Sequence, residues 1–492
     1  MLFNSYSFIF LFLPLTLIGY FGLNRVGKQK AAVFFLLLMS LGFAGFGSIY
    51  NLAVLLANLL VNYVLARRMR DAGKEKRKKI LILGILFNLG LLFLFKYYNF
   101  FAENINGLFG NCLPGLSLAL PLGISFYTFA QIAYLADCYQ ADKKERGNEI
   151  YSYSLLEYAA YVSFFPKLIQ GPIAYHNELI PAFRNPLMKK VDFINLSKGI
   201  YAFALGLAKK VLLADTLAKI VNIGYNNIDA LSAGDAILVM VCYSLQIYFD
   251  FSGYCDMVYG IGYMLNIKLP ANFNSPYKAV SVTDFWDRWH MTLTRFFTRY
   301  LYIPLGGSRK GRARTMVNIM IVFLFSGLWH GANWTFILWG ALNGIVMVLE
   351  RILHVKEWRK LTGIRRVITF VFATFAWSIF RADSISQAGS LWGRLFTDGH
   401  GMYVSFADCF NGLVEVSILR RIGFGALMER YPYCLLLLFV IVLVLACFFM
   451  RNTQEKVESM QFTNRKAVVT VILLVWSVMS LSEISEFIYF NF

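Results

Sequence analysis

The sequence predicts an all-α polytopic membrane protein, and three observations support this prediction. Hydrophobic residues make up 58% of the 492-residue chain and charged residues only 15%, against roughly 25% charged residues in soluble domains. The mean hydropathy is +0.56. Apolar runs long enough to cross about 30 Å of hydrocarbon recur along the chain; they lie near residues 5–23, 31–47, 49–66, 79–97, 116–136, 193–223, 235–265, 367–380, 434–450 and 467–487.

Basic residues between these runs predict the orientation of the chain. The net charge is +19, and eight Lys and Arg residues crowd the single loop 67–79. Short basic loops stay in the cytoplasm, so both termini and the stretch near 382–432 are expected outside. The predicted cytoplasmic loops are 24–30, 67–79, 137–150, 308–314, 351–366 and 451–466.

Composition also argues against two kinds of binding site. The basic clusters lie at the ends of spans rather than in a stripe with exposed aromatics, so no nucleic-acid partner is expected. The seven cysteines form no CxxC pair, which indicates neither a zinc site nor a disulfide framework. No bound metal or resident cofactor is therefore predicted.

The stretch 315–350 lies between two loops predicted to be cytoplasmic, so it must enter the membrane and return. Its length predicts a pair of shortened helices with a turn at Trp329–Asn333, where Gly327 and Gly331 permit close packing. Irregular backbone at depth is tolerated only where it lines protein or water. The segment 151–183, broken by prolines and glycines, is predicted to be re-entrant for the same reason.

The stretch 266–304 is the least lipid-like part of the central region. Its run 281–299 contains neither Gly nor Pro and is predicted to be helical. On such a helix Asp287 precedes His290 by three residues, so its carboxylate can reach the imidazole. That contact would fix the tautomer and leave the other ring nitrogen available as a base.

Two histidines set among tryptophans are the main candidates for chemistry. His290 lies in Phe-Trp-Asp-Arg-Trp-His (285–290) and His330 in Gly-Leu-Trp-His-Gly-Ala-Asn-Trp (327–334). A histidine among aromatic residues is often a satisfied core residue. A titratable side chain inside a membrane is costly, however, and indicates a functional site.

Five further segments, taken with these two, carry a family resemblance. Together they are similar to the membrane-bound O-acyltransferase (MBOAT) family, strongly over roughly 115–350. Within that family the Pro-Leu-Gly-Gly continuation is closer to the alginate O-acetylase branch than to the teichoic-acid D-alanylation branch, and Thr298-Arg299 stand where relatives usually show Arg-Asp. The five segments are 120–129, 164–173, 249–257, 270–277 and 300–307.

The resemblance implies a helical bundle with a central funnel or tunnel, and it suggests three parts of the chain. Residues 1–114 would form N-terminal transmembrane helices, and 115–350 the catalytic core. Residues 351–492 would form C-terminal helices, including the exterior stretch near 382–432.

The resemblance further implies acyl transfer from a cytoplasmic thioester to an acceptor hydroxyl, with His330 as catalytic histidine and His290 as the second motif histidine. A base is needed because an alcohol attacks a thioester poorly while it keeps its proton. Asn333 or the indole N–H groups of Trp329 and Trp334 are alternative donors to the oxyanion. Trp286, Asp287, Arg288 and Asn274 are further candidates for contacts with substrate.

Acetyl-coenzyme A is the expected donor, and a carrier-protein thioester is the alternative. Arg309, Lys310 and Arg312 are candidates for binding the donor's phosphates, although topology alone also explains basic residues at a span end. The acceptor would be an extracellular polysaccharide or a partner acetylase at the cell membrane, with a bacterial plasma membrane expected.

Two other functions remain open from the sequence. One is D-alanyl transfer to teichoic acid from a carrier protein. The other is a transporter or channel in which the histidines relay protons. An internal repeat with paired broken helices would favour transport, and none is evident in the sequence.

Overall fold

The computed structural model describes residues 1–141, 153–355, 360–397, 399–481 and 487–488, and within these ranges it contains helices and no strands. The helices up to the long central one are α1 (Phe8–Arg25), α2 (Gln29–Gly45), α3 (Ile49–Arg70), α4 (Lys74–Phe109), α5 (Ile124–Gln140), α6 (Leu155–Ser163), α7 (Phe165–Leu168), α8 (His176–Arg184), α9 (Phe193–Ala208), α10 (Asp215–Asn226) and α11 (Ala233–Met264). The helices after it are α12 (Val282–Trp286), α13 (Met291–Phe297), α14 (Arg312–His330), α15 (Trp334–Ile352), α16 (Thr362–Arg381), α17 (Ile385–Gly393), α18 (Tyr403–Asn411), α19 (Val414–Leu419), α20 (Gly425–Arg430), α21 (Cys434–Phe449), α22 (Thr453–Glu458) and α23 (Asn464–Met479).

Seven helices of the described part are long and apolar enough to cross a membrane. They are α1, α3, α4, α11, α14, α15 and α16, while α2 and α21 are shorter apolar helices. The predicted class, an all-α multi-pass membrane protein, is confirmed. Each apolar run found in the sequence overlaps a helix, although residues 116–123 of the run 116–136 are irregular and precede α5.

Helix α11 lies at the centre of the molecule. Its most apolar stretch is 89% buried, whereas that of α4 is only 22% buried. Helix α9 packs on α11 through facing glycines: a Cβ at Gly206 would lie 2.5 Å from the Gly253 carbonyl oxygen. Small residues let helix backbones approach closely. In a membrane the lipid is as apolar as the side chains, so helices associate through such close van der Waals packing.

Two lysines that follow α9 are tied to α11 by ion pairs. Lys210 Nζ lies 2.8 Å from Asp250, and Lys209 Nζ lies 2.6 Å from Asp256. A charge inside a membrane protein is tolerated when it is paired. The two aspartates of the 249–257 motif therefore hold neighbouring segments of the core together.

A buried polar network joins the N-terminal helices to the core. Asn58 of α3 donates to Asn88 of α4 at 2.9 Å, and Gln131 of α5 donates to Asn58 at 3.0 Å. The hydroxyl of Tyr158 on α6 donates to Gln131. Because each of these polar groups would be costly to leave unpaired in an apolar interior, the network specifies how four helices meet.

The pair of helices in 315–350 differs from the prediction. The expected turn is confirmed, since α14 ends at His330 and α15 begins at Trp334. The expectation of shortened helices is wrong, because each has 19 residues, or about 28 Å at 1.5 Å per residue. The helices are longer because both extend into the predicted cytoplasmic loops. Helix α14 begins at Arg312, inside the loop 308–314, and α15 ends at Ile352, inside the loop 351–366.

The segment after residue 152 has the broken form expected from its prolines and glycines. The short helices α6 and α7 are followed by irregular backbone up to Tyr175, and most of this stretch is buried. Its re-entrant path through the membrane stays a prediction.

Candidate active site

His330 is the last residue of α14, at the closed end of the α14–α15 hairpin. Its side chain is buried, and its ring centroid lies 4.9 Å from that of Trp329 and 5.3 Å from those of Trp339 and Phe380. The hairpin is closely packed, since a Cβ at Gly340 would lie 2.4 Å from the Phe323 carbonyl oxygen. The chain reversal therefore holds the histidine inside an aromatic enclosure.

His290 lies in a break between two short helices, and the predicted continuous helix over 281–299 is wrong. Helix α12 ends at Trp286 and α13 begins at Met291. The break is fixed by backbone bonds to an earlier loop, from Asn274 to the Arg288 carbonyl and from Met291 to the Asn272 carbonyl, each 3.0 Å. Tertiary hydrogen bonds thus override the local helical preference.

The backbone of His290 is left-handed, with φ 45° and ψ 51°. A non-glycine residue in this conformation costs of order 1–3 kcal/mol and persists only where the surroundings enforce it. The break also removes the expected contact with Asp287, which is exposed. His290 is 1% exposed, and neither ring nitrogen has a hydrogen-bond partner among the described residues.

Trp329 brings the two histidines together. Its ring centroid lies 6.3 Å from that of His290 and 4.9 Å from that of His330. The indole is 4% exposed, and its N–H has no acceptor within the described part of the chain. Two histidines forty residues apart in sequence therefore contact the same indole ring. The N–H group of this indole is available as a hydrogen-bond donor.

The other candidate oxyanion donors are already engaged. The amide of Asn333 caps α15 by accepting from Thr335 N at 3.1 Å and donates to the Asp383 carbonyl at 2.9 Å. The Trp334 indole donates to Asn104 at 2.9 Å. Of the three groups that the sequence left open, the geometry favours Trp329.

The remaining candidates for substrate contact have other partners in the structure. The Trp286 indole donates to Asn343 at 3.1 Å within a buried aromatic cluster. Arg288 pairs with Asp284 at 2.7 Å, and the exposed Asn274 accepts from Asn452 at 3.3 Å. Among the described residues, no ring contact or hydrogen bond joins these side chains or Asp287 to the Trp329 indole.

The basic residues proposed for donor phosphates lie at the far end of α14. Arg309, Lys310 and Arg312 are exposed where the helix begins. The 19 residues of α14 place them about 28 Å from His330 along the axis. A donor that engaged both ends would have to be extended.

Lys96 is a site residue that the sequence analysis passed over. Its ammonium donates to the carbonyls of Trp329 at 2.6 Å and His330 at 3.0 Å. The neighbouring Tyr97 hydroxyl lies 3.4 Å from the same Trp329 carbonyl. The signal was present in the sequence as one lysine inside an apolar run, which is rare in spans.

A buried histidine–carboxylate pair, distinct from His290 and His330, lies on α5 and α8. Asp137 accepts from Arg299 at 2.8 Å and from the Tyr300 hydroxyl at 2.9 Å, and His176 Nε2 lies 3.2 Å from it. The departure at Thr298-Arg299 thus leaves Arg299 paired with a carboxylate from another helix. Among the described residues, no group of three or more His, Cys, Asp or Glu could hold a metal ion.

Comparisons with known proteins show the family to which the chain belongs. The model of a family described as "MBOAT, membrane-bound O-acyltransferase family" matches residues 36–387, which include the predicted core 115–350. The chain is 37% identical over 520 residues to the "Peptidoglycan O-acetyltransferase" of Helicobacter pylori, covering 100% of this chain and 98% of that protein.

More partial similarity extends to two other groups of proteins. The "Probable alginate O-acetylase AlgI" of Pseudomonas aeruginosa is 37% identical over 406 residues, which cover 81% of this chain and 75% of that protein. The "Teichoic acid D-alanyltransferase" of Bacillus subtilis is 25% identical over 284 residues, covering 54% of this chain and 70% of that protein.

Proposed function

Because the chain belongs to the membrane-bound O-acyltransferase family, and is therefore an O-acyltransferase, we propose that it moves an acetyl group from a cytoplasmic thioester to hydroxyls of an extracytoplasmic glycan. The single observation that carries the proposal is the pair of buried histidines on the Trp329 indole at the closed end of α14–α15. Acyl transfer needs a base and an oxyanion donor in a dry place, and this arrangement supplies candidates for both.

In the proposed reaction His330 is the base. The acceptor hydroxyl gives its proton to the imidazole while its oxygen attacks the thioester carbonyl carbon. The tetrahedral intermediate then expels the thiolate, which takes the proton back from the imidazolium, so the products are an ester and a free thiol. General-base assistance of this kind contributes about 10²–10⁴-fold in rate.

Trp329 is proposed to stabilise the oxyanion, because its indole N–H is buried and lacks an acceptor in the described structure. A donor fixed before the reaction costs no reorganisation when charge develops. The aromatic enclosure around His330 would also keep water away from the thioester. His290, held in its left-handed conformation, would orient the acceptor or His330.

The acceptor is proposed from the relatives rather than from the site. Two of the matched relatives are named as a peptidoglycan O-acetyltransferase and a probable alginate O-acetylase. Both materials are glycans that present sugar hydroxyls outside the cell. A bacterial plasma membrane is the corresponding location, and a partner acetylase is the alternative acceptor.

The donor is proposed to be acetyl-coenzyme A, with Arg309, Lys310 and Arg312 binding its phosphates. D-alanyl transfer from a carrier protein is supported by a relative that matches only 54% of this chain, so we place it second. Proton transport through the histidines consumes no thioester, and release of free thiol therefore distinguishes it from both transferase reactions.

Sealed vesicles of known orientation test the proposal. Labelled acetyl-coenzyme A is supplied to the cytoplasmic face of the vesicles, and a soluble glycan is supplied to the opposite face. Free thiol should be released, and label should be transferred to the glycan. His330→Ala vesicles serve as the control for chemical transfer. Label that moves only when the donor is on the exterior face, or only from an acylated carrier protein, would contradict the proposal.

A further inference from the structure

We infer that Lys96 is a positioning residue for His330: its ammonium holds the backbone at the end of α14 and thereby places the imidazole. The inference rests on the proposed function, since it assigns His330 to catalysis. It adds a residue from a distant helix to the site, 234 positions away from His330 in sequence.

Lys96 contacts the C-terminal end of α14, where a cation stabilises a helix. The last carbonyls of a helix have no partner within it and carry a partial negative charge. Lys96 donates to the carbonyls of the last two residues of α14, at 2.6 Å to Trp329 and 3.0 Å to His330. Charge-assisted hydrogen bonds of this kind are shorter and stronger than neutral ones.

The helix that carries Lys96 is modified at the point of contact. Residues Phe93–Tyr97 form a π-helical turn within α4. Such turns frequently occur at functional sites, and others in the described part of the chain include Lys209–Ala214 and Thr298–Tyr302. The π-helical turn and the ammonium group therefore coincide at Lys96.

A packing role alone does not explain this residue. Helix α4 is apolar around Lys96, with exposed Phe93 and Leu94 beside it, and an ammonium in such a helix is costly. A methionine would fill the same space at less cost. What the ammonium adds is a fixed position for the Trp329 and His330 backbone, and with it a fixed approach of the imidazole and the indole to the reacting carbonyl.

The test compares Lys96→Met, Lys96→Arg and a matched control, Asn104→Ala, in purified protein supplied with acetyl-coenzyme A and a soluble glycan as acceptor, and it measures thiol release. Asn104 lies on the same helix and contacts Trp334 beyond the turn, so its variant removes one tie to the hairpin without touching His330. Misplacement of a reacting group by about 1 Å can cost about 10²-fold in rate.

Lys96→Met is expected to lower kcat by about 10²-fold with KM for the donor changed less than about twofold, because the donor site is intact. Lys96→Arg should recover much of kcat, and Asn104→Ala should stay near the wild type. Lys96→Met with unchanged kcat, or a loss that Lys96→Arg does not reverse, would overturn the inference.

The same assay separates this inference from the proposed function. If the wild-type protein releases no thiol, or if His330→Ala is fully active, the proposed function fails. If both behave as proposed and Lys96→Met keeps its kcat, only the role of Lys96 fails. Should Lys96→Met not fold, Lys96→Gln, which retains a single donor group, should show an intermediate kcat, and a wild-type kcat in that variant would equally overturn the inference.

Discussion

His290 combines burial, a strained backbone and unpaired ring nitrogens, and few structural residues show all three. A buried polar group without a partner costs roughly 1–3 kcal/mol, in addition to the cost of the left-handed backbone. Backbone hydrogen bonds to Asn272 and Asn274 hold the conformation, but no hydrogen bond to the ring nitrogens offsets the first cost within the described structure. Such a residue is best explained by a partner that is present only during the reaction.

Replacement of the two histidines should separate their roles. His330→Ala is expected to lower the rate of thiol release by 10²–10⁴-fold, because the base is removed. His290→Ala should also reduce activity but leave a measurable remainder if this residue only orients its neighbours. The rate is measured on purified protein, with exposed His400 replaced by Ala as the matched control. Near-normal acylation by His330→Ala would refute its assignment as the base.

The α14–α15 hairpin is the element that sets the site, and its close packing is what makes it rigid. Gly327 and Gly340 face each other, and the Cβ position of each lies 3.3 Å from the Cα of the other. Phe336, the third residue of the returning helix, lies against Gly331 at the turn. The hairpin therefore has little freedom to open, and His330 at its end is placed by helix packing as well as by Lys96.

Gly340→Ala should consequently lower stability and activity together. The added methyl would lie 2.4 Å from a backbone oxygen, and overpacking of this kind typically costs about 1–3 kcal/mol. Gly42→Ala is the matched control, since it also lies in an apolar helix but nothing lies within 4 Å of its Cβ position. Thermal unfolding in detergent, read beside thiol release, measures both effects; equal melting temperatures for the two variants would contradict this account of the hairpin.

At the scale of the whole molecule, contacts between loops agree with the predicted sidedness. Arg77, in the loop 67–79, donates to the Ala141 carbonyl at 3.4 Å, which joins two loops that are both predicted inside. Asn104, which the same alternation predicts outside, accepts from Trp334 at 2.9 Å, at the end of the α14–α15 hairpin opposite its two predicted cytoplasmic loops. The structure thus groups the loops as the basic residues do, and which group faces the cytoplasm stays a prediction.

Cysteine labelling decides that orientation. In a background that retains Cys112 alone, an impermeant maleimide should label intact cells, because Cys112 is exposed and predicted outside. A variant with Lys74→Cys as its only cysteine should react only after permeabilisation, since dense basic loops remain in the cytoplasm. Reaction at position 74 in intact cells would reverse the model of the topology and the proposed side of the donor.

The sequence by itself determined the membrane class, the approximate positions of the long apolar helices, the turn after His330 and the two histidines. These follow from hydropathy, charge and short motifs, which are properties of neighbouring residues. The length of α14 and α15 was underestimated because the basic residues that end an apolar run can still be helical, as Arg312 is.

Only the tertiary structure decided which groups meet and which are free. The break before His290 is held by bonds to Asn272 and Asn274, Asn333 is occupied by Asp383, and Lys96 reaches His330 from another helix. Each of these depends on a partner that is distant in sequence, so no local pattern predicts it. The chemistry proposed for this protein therefore rests on residues named by the sequence, and their roles rest on contacts that form only when the helices pack.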